Sequence, residues 1–500
     1  MEIKTAIAKL YANRATELSQ MGKQNAAIEL YRQIIQVEPK NYDCYYRLAL
    51  LLIQMGKQES AKISLQQGLE IHPEQADVHH QLGKIFQQRQ QFKQAIAHYY
   101  QAVELDPQNA SYHFALGKCL YNSDQPQEAE QSFQRVITID YKFFWAYYFL
   151  GLLKRRQRDK KGALRYFCRA IQLEPQQQHG HLVFQYLAVD NSQLSELIEF
   201  YRQIIADNST CSSIAWGNLG DLLSQQGQTE AAINCYRTNC YQQATTKNSH
   251  LTDLDWQSKK NPPDFIVVGA GKCGTTSLWQ YLSCHPQVLV PHKKELNFFT
   301  SEQYGLGWEW YLSHFPAITD YEDLVTGEAS PSYFNNPYAL THIPKLGKTK
   351  IIILLRHPVN RLLSWYHHSL RDGQERRSLS QIVKLEIESF QSDLLITKAA
   401  ETSYLANSIY LHPVQKWLDA MPKDQVLIIQ TEELAVNPNK TMRQTFDFLQ
   451  LPHYQPIDYI QHNQGHYDFS HDHQLIKTLT DFFQPYNQQL EKLLNRKFNW

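Results

Sequence analysis

A 34-residue period runs through the first half of the chain and constrains its fold more than any other feature. Pro39, Pro73 and Pro107 are 34 residues apart, Pro175 lies two periods further on, and Tyr141 takes the skipped place. Ala27, Ala61, Ala95, Ala129 and Ala163 keep the same period, each followed four residues later by a bulky residue: Tyr31, Leu65, Tyr99, Phe133 or Phe167. A third column reads Leu48-Ala49, Leu82-Gly83, Leu116-Gly117 and Leu150-Gly151. Small residues let two antiparallel helices approach closely, residues four apart share a helix face, and a proline closes the pair because it cannot continue a helix. One such pair cannot bury its apolar face alone, so the pairs are expected to stack into an all-α solenoid.

These columns resemble the tetratricopeptide repeat, a helix-turn-helix unit. Five units are expected over roughly Ile7 to Pro175. A degenerate sixth keeps Leu197 and Tyr201 in phase, and Trp216, Leu219-Gly220, Ala232 and Tyr236 announce a seventh. The resemblance implies a protein or peptide partner for the repeats. The run Lys154, Arg155, Arg156, Arg158, Lys160, Lys161 and Arg165 is the densest basic stretch, and its plainest reading is the solvated turn of a helix pair. The solenoid is expected over residues 1–244, a polar linker over 245–261, and a second domain over 262–500.

With 49 basic and 49 acidic residues in 500, the chain lacks the positive balance of a nucleic-acid binder, and no such partner is expected. MEIKTAIAKLYANRATELSQ has no apolar core of signal-peptide or membrane-span length, so a protein without a membrane span is expected, cytoplasmic and of bacterial type. Eight cysteines, all between Cys44 and Cys284, are too scattered for a disulfide framework.

Phe265 to Val268 reads as a strand of a buried parallel sheet. Gly269 then opens a loop to Thr275-Thr276 and a helix through Tyr281. Glycines turn the backbone tightly, and the helix N-terminus adds partial positive charge, which together make an anion cradle. The spacing is P-loop-like: Gly269 and Gly274 are five apart, but Thr275 stands where a triphosphate hydrolase has its lysine, and Lys272 lies inside the loop. No downstream strand ends in an aspartate for magnesium, since IIILL leads to Arg356 and VLII to Gln430. Lys350 to Leu355 reads as a second buried strand delivering Arg356, with Ser364 eight residues on. An arginine at a strand's carboxyl end and a hydroxyl on the next helix make a second phosphate site. Two phosphate sites suit a nucleotide phosphorylated at both ends. The expected fold is an α/β domain with a central parallel sheet.

GAGKCGTTSL followed by KIIILLRHPVNRLLSWYHHS resembles the two signatures of sulfotransferases that use 3'-phosphoadenosine-5'-phosphosulfate (PAPS). The resemblance implies that Lys272, Cys273, Gly274, Thr275, Thr276 and Ser277 hold the 5'-phosphosulfate end, and that Arg356 and Ser364 hold the 3'-phosphate. His285-Pro286, Lys293-Lys294-Glu295-Leu296-Asn297-Phe298-Phe299 and Gly327-Glu328-Ala329-Ser330-Pro331-Ser332-Tyr333-Phe334 occur in the order found in the heparan-sulfate branch of that family, as does the C-terminal stretch from Leu479. By that resemblance the acceptor is a hydroxyl or amine of a glycan, no metal is required, Glu295 is the general base and Lys272 stabilises the leaving phosphate.

The sequence departs from the branch at four places. Asn297 stands where the motif has histidine, Ala329 where many relatives have lysine, no cysteine follows Cys284, and Asn463-Gln464-Gly465 lacks the lysine of the cofactor-covering loop. Asn297 and Ala329 favour one rival, a decayed nucleotide-binding scaffold, while the retained Lys272, Thr275, Thr276, Arg356 and Ser364 favour an enzyme. A protein-tyrosine or lipid sulfotransferase is a second rival. A nucleotide kinase is a third, opposed by Thr275 and the missing magnesium ligands. A plain surface ion pair of Glu295 with Lys293 or Lys294 is the alternative to its catalytic role.

Overall fold

The computed structural model describes residues 2–500 apart from 188, 209–210, 254–255, 257–261, 301, 318–323, 372–373, 392–402, 456–458, 460–472 and 499. The chain separates into two units, Met1–Val183 and Phe184–Trp500. Asn463-Gln464-Gly465 and residues 254–255 and 257–261 of the expected linker lie outside the described residues.

The first unit is a stack of antiparallel helix pairs: α1 Glu2–Gln20 with α2 Gln24–Val37, α3 Tyr42–Gln54 with α4 Gln58–Ile71, α5 Ala76–Gln88 with α6 Phe92–Leu105, α7 Ala110–Asn122 with α8 Pro126–Ile139, and α9 Phe144–Arg156 with α10 Lys160–Leu173. The short α11 Gln178–Leu182 follows. The alanine column is fully buried, and so are Tyr99, Phe133 and Phe167 of the aromatic column. The two columns meet the third across each pair, because a Cβ on Gly83 would lie 2.6 Å from the Tyr99 ring and one on Gly117 2.8 Å from the Phe133 ring. The exit of a pair is stapled by a device the columns did not disclose. Ring nitrogens of His79, His113 and His181 face the carbonyls of Pro73, Pro107 and Pro175, and Tyr147 donates to the carbonyl of Tyr141 in the intervening place.

The second unit begins with helices carrying the sixth and seventh repeat columns: α12 Asn191–Asp207, α13 Ile214–Gln225 and α14 Thr229–Lys247. Thr245 to Lys247 thus continue α14, and Ser249–Asp253 form a 3-10 turn with Leu251 buried. Five parallel strands follow: β1 Phe265–Gly269, β2 Val288–Leu289, β3 Val325–Ala329, β4 Lys350–Leu355 and β5 Val426–Gln430, in the order β2-β3-β1-β4-β5. Strands β1 and β4 are buried along nearly their whole length, as their unbroken apolar runs require of a sheet covered on both faces. Around them lie α15 Thr275–Cys284, α16 Trp308–Leu312, α17 Pro337–His342, α18 Pro358–Arg371, α19 Leu379–Gln391, α20 Leu411–Ala420, α21 Thr431–Val436, α22 Pro438–Leu449 and α23 His473–Leu494. The chain runs from β1 to one side of the sheet for β2 and β3, then crosses to the other for β4 and β5. The switch point is therefore at the carboxyl end of β1, where open α/β sheets bind ligands. Among the described residues no helix is long and apolar enough to cross a membrane.

Candidate active site

The loop after β1 lies at that switch point, with Gly269, Lys272 and Gly274 all at positive φ. Lysine rarely adopts such a conformation unless its surroundings impose it, and here they do. The carbonyl of Gly271 accepts from Arg361 Nε at 3.1 Å, that of Lys272 from an Arg356 guanidinium nitrogen at 3.3 Å, and that of Cys273 from Thr431 Oγ1 at 2.6 Å. In a trans peptide the carbonyl and the following N–H point in opposite directions. With the carbonyls of Gly271 and Cys273 held by Arg361 and Thr431, the amides of Lys272 and Gly274 face away from those two supports. A strand-to-helix loop that opens on a helix N-terminus is the kind of backbone that can take an anion.

Arg356 is half-buried at the end of β4, and Tyr410 donates to its carbonyl at 2.9 Å. Its bond to the Lys272 carbonyl joins the two sequence signatures. Thr275, Ser277 and Ser364 are buried, Thr276 is half-buried, and Gly274 caps α15 in a left-handed conformation. Cys273 is fully buried with its sulfur 3.4 Å from the Tyr410 hydroxyl, and burial raises its thiol pKa, so its side chain packs beneath the loop. Arg361, Thr431 and Tyr410 are the supports that sequence reasoning left out. Arg361 lies within the second signature, five residues after Arg356, and Thr431 is the first residue after β5. Only the folded sheet brings them to the loop.

The segment carrying Glu295 is fastened to the exit of β3. Glu295 N donates to the Ala329 carbonyl at 2.9 Å, Asn297 N to Ser330 Oγ at 3.1 Å, and Ser332 Oγ to Asn297 Oδ1 at 2.6 Å. Glu295 and Asn297 both take positive φ to make these bonds. The same exit packs on the phosphate loop, since a Cβ on Gly269 would lie 3.0 Å from the Pro331 carbonyl. Glu295 projects into solvent with its carboxylate accepting from Lys294 Nζ at 2.6 Å, so the ion pair weighed against its catalytic role does form. Ala329 is fully buried.

Glu328 is the neighbouring carboxylate and is enclosed. It accepts from Tyr311 at 2.7 Å, Tyr333 at 3.2 Å and Ser330 at 2.6 Å. Burial raises its pKa to about 7 against the pull of those three donors. It ties β3 to the Ser330 turn. Trp310 and Tyr311 are likewise core residues, while Trp308 stays partly exposed. His285 is buried at the end of α15, its ring facing the Pro452 carbonyl, as a helix-ending residue.

Comparison with known proteins finds repeats followed by a sulfotransferase domain. Residues 262–472 match a family model described as a sulfotransferase domain, and tetratricopeptide repeat models match residues 18–85, 83–124, 110–143, 146–177 and 214–238. A mouse heparan sulfate glucosamine 3-O-sulfotransferase 5 is 30% identical over 278 residues, covering 50% of this chain and 76% of the relative. The membrane-associated sulfotransferase kil1 of Dictyostelium discoideum is 28% identical, covering 48% of this chain and 66% of its own length. A bifunctional heparan sulfate N-deacetylase/N-sulfotransferase 1 of Caenorhabditis elegans is 29% identical, covering 41% of this chain but only 24% of its own length. The solved sulfotransferase of Alicyclobacillus acidocaldarius is 30% identical, covers 47% of this chain and 97% of its own, and superposes with a TM-score of 0.39.

Proposed function

The chain belongs to the sulfotransferase family, and from that premise we propose that residues 262–500 move a sulfuryl group from PAPS to a hydroxyl or amine of a glycan-like acceptor. The observation that carries the reading is the Arg356 bond to the Lys272 carbonyl, which brings together at one switch point the two segments proposed to hold the phosphates. The loop amides, Thr275, Thr276 and Ser277 would hold the 5' end, and Arg356 with Ser364 the 3'-phosphate. The acceptor oxygen or nitrogen forms a bond to sulfur as its proton passes to Glu295. The bond from sulfur to the bridging phosphate oxygen breaks, and that oxygen keeps the electron pair. Lys272 neutralises the charge developing there, a clamp of the kind that lowers barriers in phosphoryl transfer.

Exposure supports Glu295 over Glu328 as base, because an acceptor can reach a carboxylate at the surface and cannot reach one enclosed by Tyr311, Ser330 and Tyr333. Its pair with Lys294 would have to open as the acceptor enters. Residues 1–244 are proposed to bind a protein or peptide partner.

Titration of the full chain with adenosine 3',5'-bisphosphate tests the reading. Binding should weaken by about tenfold or more in each of Lys272→Ala and Arg356→Ala, the loss of one charge-assisted contact. No binding by the parent chain, or affinity indifferent to both substitutions, would sink it.

A further inference from the structure

A cavity of about 470 Å³ within the second unit has Glu295 and Asn297 on one wall and Asn218, Asp221, Leu222 and Gln225 of α13 on the other. The repeat side of this cavity is built in. Asp221 Oδ1 receives Lys293 Nζ at 2.6 Å and the Tyr236 hydroxyl at 2.8 Å, and Trp310 Nε1 donates to Ser224 Oγ at 2.7 Å. The His314 ring packs at a tilt against Tyr236 with centroids 3.8 Å apart. Gly217 has no side chain where His292 presses against α13, so the helix comes close to the sheet domain. The last repeat thus stands beside the residue proposed as base and can touch whatever that base deprotonates.

The lining is unusual in its charge. Among the described lining residues three carboxylates, Asp221, Glu295 and Glu302, stand with one ammonium, Lys293, which pairs with Asp221. The neighbouring Lys294 is bound to Glu295. With Asp221 and Glu295 each paired, Glu302 leaves the described lining with a net negative charge, which disfavours an anionic ligand. Apolar residues of the lining, among them Val189, Leu222 and Leu306, offer contact for the C–H faces of a sugar ring, and Asn218 and Gln225, whose amide nitrogens are bound to the Tyr201 hydroxyl and the Val189 carbonyl, keep the α13 wall polar. We propose that this cavity is the acceptor subsite, that the last repeat forms its far wall, and that its acceptor is an uncharged or amine-bearing oligosaccharide in place of a polyanionic one. The inference rests on the reading of Glu295 as the base.

Calorimetric titration of the full chain at low ionic strength with three probes decides it: an N-acetylglucosamine tetramer, its de-acetylated amine form, and an unsulfated glucuronate–glucosamine tetrasaccharide. At least one of the first two should bind more tightly than the third. Gln225→Trp, which fills the cavity from the exposed end of α13, should weaken that binding by about tenfold or more at unchanged thermal midpoint and unchanged bisphosphate affinity. Glu302→Lys should shift preference toward the glucuronate probe. Tighter binding of the glucuronate probe by the parent chain, binding indifferent to Gln225→Trp, or binding of none of the three overturns the inference. The bisphosphate titration separates the two readings: a chain that binds nucleotide but no probe defeats this inference alone, and one that binds a probe in the cavity but no nucleotide defeats the proposed function.

Discussion

The ammonium of Lys293 lies 2.6 Å from Asp221 Oδ1, so the segment that carries Glu295 is anchored to the helix that ends the repeats. Burial alone would keep the Asp221 proton on, but Lys293 and His292 hold its carboxyl well below the usual carboxylate range. Both side chains of the pair are only about a fifth exposed.

Asp221→Ala should lower unfolding free energy by about 2 kcal/mol, less than the ~3–5 of a fully buried pair, because it leaves Lys293 and the Tyr236 hydroxyl without their acceptor. Denaturant midpoints of Asp221→Ala, Lys293→Met and the double variant measure this. The double variant should lose less than the sum of the singles, since no ammonium is then left stranded.

Glu295→Gln should leave bisphosphate affinity unchanged and lower kcat by about 10² to 10⁴, the usual worth of a general base. Lys294→Met, which frees the carboxylate from its 2.6 Å partner, should not abolish turnover. Steady-state transfer of labelled sulfate checks both, and full activity in Glu295→Gln would place the base elsewhere.

Glu328 predicts a pH dependence of stability. Its carboxyl titrates at about 7 when folded and at 4.5 in the unfolded reference. Between those values the folded chain keeps a proton that the unfolded chain has released, so this contribution is fully present below pH 4.5 and is lost as pH rises through 7. The loss amounts to about 3 kcal/mol. Glu328→Gln, whose amide oxygen can still accept from Tyr311 and Tyr333, should flatten that slope in chemical unfolding at pH 5 and pH 8.

Gly83→Ala should destabilise the first unit by about 1–3 kcal/mol, the typical cost of overpacking, because its Cβ would come within 2.6 Å of the Tyr99 ring. Gly83→Ala combined with Tyr99→Leu should recover part of the loss in thermal unfolding. The same substitution at Gly56, which has open space around it but φ of 73°, probes backbone strain without a clash.

The repeat columns and both phosphate signatures were legible in the sequence because each depends on local rules. A 34-residue period, an apolar strand followed by glycines, and an arginine at a strand end are set by neighbours along the chain. Lys350–Leu355 keeps its expected bounds, and Phe265–Gly269 runs one residue past its apolar run, for the same reason. The supports of the phosphate loop were not legible. Arg361 and Thr431 reach it from 90 and 158 residues away, and only the parallel order β1-β4-β5 sets them beside the carbonyls of Gly271 and Cys273. Nor did sequence spacing show that α13 would wall the cavity next to Glu295. Asp221 and Lys293 are 72 residues apart, and opposite charges find each other at that separation only after helix and sheet have packed. The sequence by itself determined the kinds of element and the sulfotransferase family. Tertiary structure decided which groups share a cavity, because cavity walls are made of long-range contacts that no local pattern encodes.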